Sequence, residues 1–258
     1  MVVAAGGRAS RARLASPLRL VVVSSLWLGG LLLVFSQPVL WEAVLKPLFP
    51  DQPRVLYPAS SLFSLALTHL ALVVTSSAIS VLLGLAVGVF VTRASGREFL
   101  PLALSLGSLA QVFPPVAVLA LAYPVLGFGF APSLLALALY GLLPVVSGAI
   151  AGIQSVPADA LEASRGMGMT EAQILTRVEI PLAARSILGG VRTSLVVNIG
   201  TATIAAAIGA GGLGLPIFAG LENQNFAYVL SGALAVAGLA LWADWTLSRL
   251  EGLVGSDA

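Results

Sequence analysis

Long apolar runs separated by short polar islands organise this chain. The runs cover about 20–35, 62–92, 102–126, 131–153, 186–210 and 227–248. A helix needs about 20 apolar residues to cross a bilayer, so the pattern predicts six membrane-spanning helices. The sixty positions from 99 to 158 hold no Asp, Glu, Lys, Arg or His, and two of the predicted spans lie there. A closed β-barrel would show short segments of alternating polarity instead. The expected fold class is therefore an all-α membrane protein with about six transmembrane helices and a polar loop between spans 4 and 5. Three segments follow: 1–61 (tail, first span and outer loop), 62–248 (transmembrane domain) and 249–258 (C-terminal tail).

Composition sharpens this. Apolar residues make up 58% and charged residues 9%, against about 25% charged in an ordinary soluble domain. Mean hydropathy is +1.01. There is no cysteine, which excludes disulfides, thiolate metal sites and thiol chemistry. The only lysine, Lys46, lies in Leu-Lys-Pro-Leu. A phosphate-binding Walker loop needs Gly-Lys-Ser/Thr, so this chain supplies no ATP-binding lysine. A net charge of +2 makes no case for nucleic acid.

Charge also orients the spans. Arg8, Arg11, Arg13 and Arg19 precede the first apolar run, as in a signal peptide, but Ser36-Gln37-Pro38 follows with no small-x-small cleavage site. The run is read as an uncleaved first span. With the N-terminus in the cytoplasm, eleven Lys/Arg fall inside and two, Lys46 and Arg54, fall outside. That is a clear positive-inside bias, and it places both termini and the loop around 154–185 in the cytoplasm. The outer loop 36–61 carries Pro38, Pro47, Pro50, Pro53 and Pro58, and is expected to be stiff and non-helical in much of its length. Gly127 to Pro132 reads as a tight outer turn. Pro114, Pro115, Pro124 and Pro144 should kink their helices, either for packing or to line a path.

The 154–185 island concentrates Asp159, Glu162, Arg165, Glu171, Arg177, Glu179 and Arg185 in a chain with few charges. Such a stretch cannot sit in lipid, and ordered loops of this kind commonly dock a partner. Pro157 suits a helix start, and Ala158 to Arg165 reads as a short helix. Gly166 and Gly168 should end it. Thr170-Glu171-Ala172-Gln173 reads as a capping box that opens a second helix. Pro181 should break or re-aim that helix as it returns to the membrane. Ala163 and Ser164 are small enough for a close partner surface, and Glu162 offers an anchoring charge.

These residues carry a resemblance. Glu162-Ala163-Ser164, three residues, Gly168, nine residues, then Val178-x-Ile180-Pro181 resembles the EAA motif of type I ABC-importer permeases, Glu-Ala-Ala, three residues, Gly, nine residues, Ile-x-Leu-Pro. Ser164, Val178 and Ile180 depart from that pattern but keep size or polarity class. Across 62–248, Gln111-Val-Phe-Pro-Pro, Gly166-Met-Gly-Met-Thr, Gly190-Val-Arg-Thr-Ser and Asn198-Ile-Gly-Thr-Ala resemble the glycine betaine/carnitine/choline (osmoprotectant) branch. The resemblance implies a permease subunit that is not itself an enzyme and has no cofactor. Its implied partners are a cytoplasmic ABC ATPase dimer gripping 159–168, a second permease subunit, identical or paralogous, and an extracytoplasmic substrate-binding protein. A permease for another small solute, an amino acid or organic anion, is the nearest alternative. An autonomous secondary carrier would need an intramembrane coupling carboxylate, and the spans offer only Asp244, near an edge.

Other signals are weaker. Gly209-Ala-Gly-Gly-Leu-Gly214 matches Gly-x-Gly-x-x-Gly, but it follows an apolar helix rather than a strand and lacks the later acidic residue of a dinucleotide site. It reads as a glycine turn ending the fifth span. His69 is the only histidine and reads as a satisfied polar residue without metal partners. Arg192 and Asp244 should lie at similar depth on neighbouring spans and form a structural ion pair. Trp27, Trp41, Trp242 and Trp245, near span ends, read as interface anchors.

Overall fold

The computed structural model describes residues 6–254. Both expected tails therefore lie partly outside the described residues. Five helices are long and apolar enough to cross a membrane. They are the Pro17–Phe35 part of α1 (Gly6–Phe35), α3 (Leu62–Thr92), α6 (Phe130–Gln154), the continuous helical stretch Glu171–Thr201, and α11 (Phe226–Val254).

The sixth predicted span, 102–126, is divided. α4 (Leu100–Val112) and α5 (Pro115–Leu126) meet at an extended joint, with ψ 130° at Phe113 and 138° at Pro114. A proline ring drives the preceding residue out of the helical region. Two prolines in succession do this to Phe113 and to Pro114, so the expected kink becomes a full break.

The outer segment 36–61 also differs from expectation. Pro38–Leu48 forms an 11-residue helix, α2, with Pro38 at its first turn, where proline's missing N–H costs nothing. Leu45 and Trp41 of α2 are buried in the core. Past α2, the Asn225 side chain donates to the Arg54 carbonyl at 2.8 Å and accepts from the Ala227 N–H at 3.1 Å. One side chain thus caps α11 and ties down the outer loop.

The core is a bundle of α3, α6, α9 (Ile180–Thr201) and α11. α6 touches α9 closely because both present glycine at the seam: a Cβ on Gly190 would lie 2.5 Å from the Pro144 carbonyl, and one on Gly148 would lie 2.8 Å from that of Ser186. Membrane helices gain affinity from such backbone approach, since lipid removes the hydrophobic drive between them. The Ser186 hydroxyl completes the seam, donating to the Gly148 carbonyl at 3.0 Å. α1 is peripheral, packed on α11 and α3. Two expected interface tryptophans are internal braces instead: Trp41 donates to Val34 O at 3.0 Å, and Trp242 donates to Ser24 O at 3.0 Å.

After α9, a 3₁₀ turn (Ile204–Ile208) and a glycine turn lead to α10 (Gly214–Glu222). The fifth span therefore ends earlier than 210. Gly209, Gly211 and Gly212 all have φ near +80°, a conformation that only glycine adopts cheaply. The turn seats against the His69 side chain: a Cβ on Gly212 would lie 3.1 Å from its Nδ1.

Candidate functional site

The polar loop folds as helix, turn, helix. α7 (Ala158–Gly166) starts after Pro157 and carries Gly166 within its last turn. A Cβ on Gly166 would meet nothing within 4 Å, so geometry does not demand glycine there. Gly168 is different. Its φ is +77°, and it lets Met169 N–H reach back to Ser164 O at 3.2 Å, closing the helix end. α8 (Glu171–Ile174) opens with the capping box: Gln173 N–H donates to Thr170 Oγ1 at 3.3 Å and Thr170 N–H donates to Gln173 Oε1 at 2.8 Å. Arg165 pairs with Glu171 at 3.2 Å across the turn, though both are exposed.

Two expectations about this loop are corrected. Ser164 is 3% exposed, its hydroxyl donating to Ala160 O at 2.7 Å. It faces inward and is not offered to a partner; Asp159, Glu162, Ala163 and Met167 form the exposed face. Pro181 does not break the helix. A π turn, Leu175–Glu179, lies between α8 and α9, and Pro181 falls within the first turn of α9. A wide turn absorbs the carbonyl that the proline leaves unpaired. The loop therefore continues into the membrane span as one helical body.

That body is clamped at the π turn. Glu179, 5% exposed, accepts from Arg93 Nη1 at 2.7 Å and from Nη2 at 3.1 Å. This forked pair joins the end of α3 to the loop, and the sequence reading missed it. The available signal was one acid beside the proline that re-enters the membrane, and one arginine just past the end of another span.

A second network holds α9 to α11. Arg192 Nε and Nη2 donate to the two oxygens of Asp244 at 2.7 and 2.9 Å. Glu251 approaches the same guanidinium at 3.6 Å and Arg185 at 3.8 Å. Arg192 and Asp244 are about one-third and two-fifths exposed, so the pair is shared with the surroundings.

Deeper in the bundle, Asn198 is fully buried and donates to Ser77 at 3.0 Å. His69 Nε2 lies 3.0 Å from Ile199 O. Both tie α3 to α9. Among the described residues no three His, Cys, Asp or Glu side chains could hold a metal ion together.

Beside the α6–α9 seam runs a groove of about 540 Å³, lined in part by Gln111, Pro144, Ser147, Gly189 and Thr193. Gln111 and Thr193 are exposed. The α4–α5 joint lies just past Gln111, and Val112 and Phe113 beside it are exposed too. Backbone that leaves helical form at membrane depth cannot face lipid; it faces protein or a water-filled cavity. The groove and the joint thus mark one face of the molecule as turned away from lipid.

A broken helix, a groove beside a tight helix seam and a helix–turn–helix loop running into a span are the features that a membrane transport subunit combines. The model of the binding-protein-dependent transport system inner membrane component family matches residues 80–254, and the chain belongs to that family. It is 37% identical over 209 residues to the osmoprotectant import permease protein OsmY of Salmonella typhimurium, covering 81% of this chain and 86% of that protein. It is 39% identical over 182 residues to the choline transport system permease protein OpuBB of Bacillus subtilis, covering 69% and 83%. Among solved structures, an inward-facing form of the MetNI methionine ABC transporter superposes with a TM-score of 0.66 at 22% identity, over 75% of this chain and 95% of that one. That last likeness is one of fold.

Proposed function

We propose that this chain is the path-forming permease of an ABC importer for a small osmoprotectant or quaternary amine such as glycine betaine, choline or carnitine. The observation that carries the reading is the 37–39% identity to osmoprotectant and choline permeases over most of the chain. ATP hydrolysis belongs to a separate cytoplasmic ATPase dimer, each subunit receiving one loop of the α7 kind. A second permease subunit faces the groove, and an extracytoplasmic binding protein delivers the solute. Both termini are cytoplasmic.

The geometry suggests how force would travel. Glu162 and Ala163 lie on the exposed face of α7. Gly168 fixes the turn behind them, and the π turn carries Pro181 without interrupting the helix. A push on α7 would reach α9 as rigid-body motion, braced at Arg93–Glu179 and again at Arg192–Asp244. α9 bears one wall of the groove, so the motion would switch that wall between inward-open and outward-open positions.

The test is uptake of labelled glycine betaine by vesicles holding this chain with its ATPase and binding protein. ATP-dependent uptake is expected, and Glu162→Lys should abolish it together with co-purification of the ATPase. Assembly and ATP hydrolysis without uptake of glycine betaine, choline or carnitine would overturn the substrate class. Normal uptake in the Glu162→Lys complex would overturn the docking role.

A further inference from the structure

A groove of about 880 Å³ lies away from the proposed path, between α1 and α11. Small-ligand pockets commonly fall between about 300 and 1,000 Å³. Its position in the fold is set by two contacts: Trp242 to Ser24, and Ser24 Oγ to Thr246 Oγ1 at 2.9 Å. These hold the two helices together alongside the groove, which runs past Trp27 and Leu241 towards the start of α1 and the end of α11. This is the same end of the bundle as α7, because Glu251 near the end of α11 pairs with Arg185 near the start of α9.

The lining separates by polarity. Leu20, Val23 and Leu241 form an apolar wall, and Arg19 and Arg249 stand at its end. Both arginines are exposed. Among the described residues neither has a carboxylate partner. Asp244 also lines the groove, but both of its oxygens are taken by Arg192, so its charge is met from the other side. Trp27 and Trp245 stack edge to face at 5.3 Å on the floor, and the Arg249 guanidinium lies 5.7 Å over the Trp245 ring. That contact steers Arg249 towards the groove. The Pro17–Phe35 span of α1 is barely buried, at 11% against 44% for α6, so the groove opens on an uncovered side of the bundle.

An apolar channel along two membrane helices, ended by two cations at the depth of the headgroups, matches one kind of molecule. We propose that this groove holds an anionic phospholipid, one acyl chain along Leu20, Val23 and Leu241 and the phosphate between Arg19 and Arg249. Basic pockets between membrane helices bind anionic headgroups through this combination of charge and apolar contact. The inference takes from the permease reading only that this end lies in the inner leaflet. Because Asp244 lines the groove and also holds Arg192, the occupant would sit one side chain from the joint between α9 and α11.

The test is native mass spectrometry on the full chain purified in detergent, offered equal amounts of dioleoyl phosphatidylglycerol and dioleoyl phosphatidylcholine. The wild type should retain the anionic lipid in preference by roughly 25-fold, since each of the two arginines near the headgroup is worth about a factor of five. Arg19→Gln with Arg249→Gln should lose most of that preference, and Arg19→Lys with Arg249→Lys should keep much of it. Thermal unfolding of each variant shows that the fold survives; if the double Gln variant does not fold, Arg249→Gln alone should lose about fivefold. Three results would overturn the proposal: equal retention of the two lipids, the same loss in Arg54→Gln on the opposite face, or release of the bound lipid by glycerol phosphate, which has the charge but no chains. The readout involves no transport. Its failure leaves the permease reading intact, and failure of uptake leaves the lipid site intact.

Discussion

Segments 100–126 and 130–154 are neighbours in the chain, both without charge and both carrying proline, yet one is a single helix and the other is two. In α6, Pro144 sits mid-helix against the backbone of Gly190 on α9, and α6 is packed on both sides by α3 and α9. Neighbours hold the helix straight through the site where one hydrogen bond is missing. In the α4–α5 segment two prolines are adjacent and the packing is thin: among the described residues none of α4 is buried, and two of α5 are. A lone proline is carried inside the helix in both halves, Pro144 in α6 and Pro124 in α5, whereas the adjacent pair Pro114–Pro115 breaks it. What the chain gains in the sparse half is a face with irregular backbone at Phe113 and Pro114 that need not meet lipid.

The contrast can be broken most forcibly at the dense seam. Gly190→Leu should destabilise the chain by more than about 3 kcal/mol, because the new side chain would meet the Pro144 carbonyl. Gly200→Leu, with nothing within 4 Å of its Cβ position, should change stability by under about 0.5 kcal/mol. Thermal unfolding in detergent compares the two, and equal effects would mean that the seam is not tightly packed. Next in size, Arg93→Gln should cost about 3 kcal/mol by leaving Glu179 buried without its partner. Arg93→Leu with Glu179→Leu should recover most of that loss, and no recovery would argue against a paired clamp.

The sparse half should respond in function rather than stability. Pro114→Ala with Pro115→Ala lets α4 continue towards α5, and uptake should fall by roughly tenfold or more, equivalent to about 1.4 kcal/mol, while the unfolding midpoint holds. Unchanged uptake would remove the joint from the path. The smallest effect is expected for Pro144→Ala, under about 1 kcal/mol in either direction, because neighbours already offset the missing hydrogen bond. A large change there would show that Pro144 shapes α6 after all.

Much of this was legible in the residues. Continuous apolar runs located the membrane helices, since lipid admits little else, and Thr170 and Gln173 announced the capping box that forms. The proline-bearing positions were harder. Pro38 starts a helix, Pro114 and Pro115 sever one, Pro144 is carried through, and Pro181 rides behind a π turn. Local pattern decides part of this, since an adjacent pair drives two residues out of the helical region where a lone proline drives one; the neighbouring helices decide the rest. Ser164 was misjudged because small size permits close approach from either side, and the buried side won. The Arg93–Glu179 clamp joins residues 86 apart in the chain, beyond any local pattern.

The joint at Phe113 also bears on how the chain enters the bilayer during synthesis. α4 and α5 have 13 and 12 residues, each about 20 Å long at 1.5 Å per residue, against a hydrocarbon core of about 30 Å. Neither half crosses alone, and an unpaired backbone joint between them is costly in lipid. Residues 100–154 are therefore best delivered as one hairpin, with α6 arriving before the halves of its predecessor settle. The order of insertion is written into a pair of adjacent prolines: the weaker span waits for the stronger one that follows it.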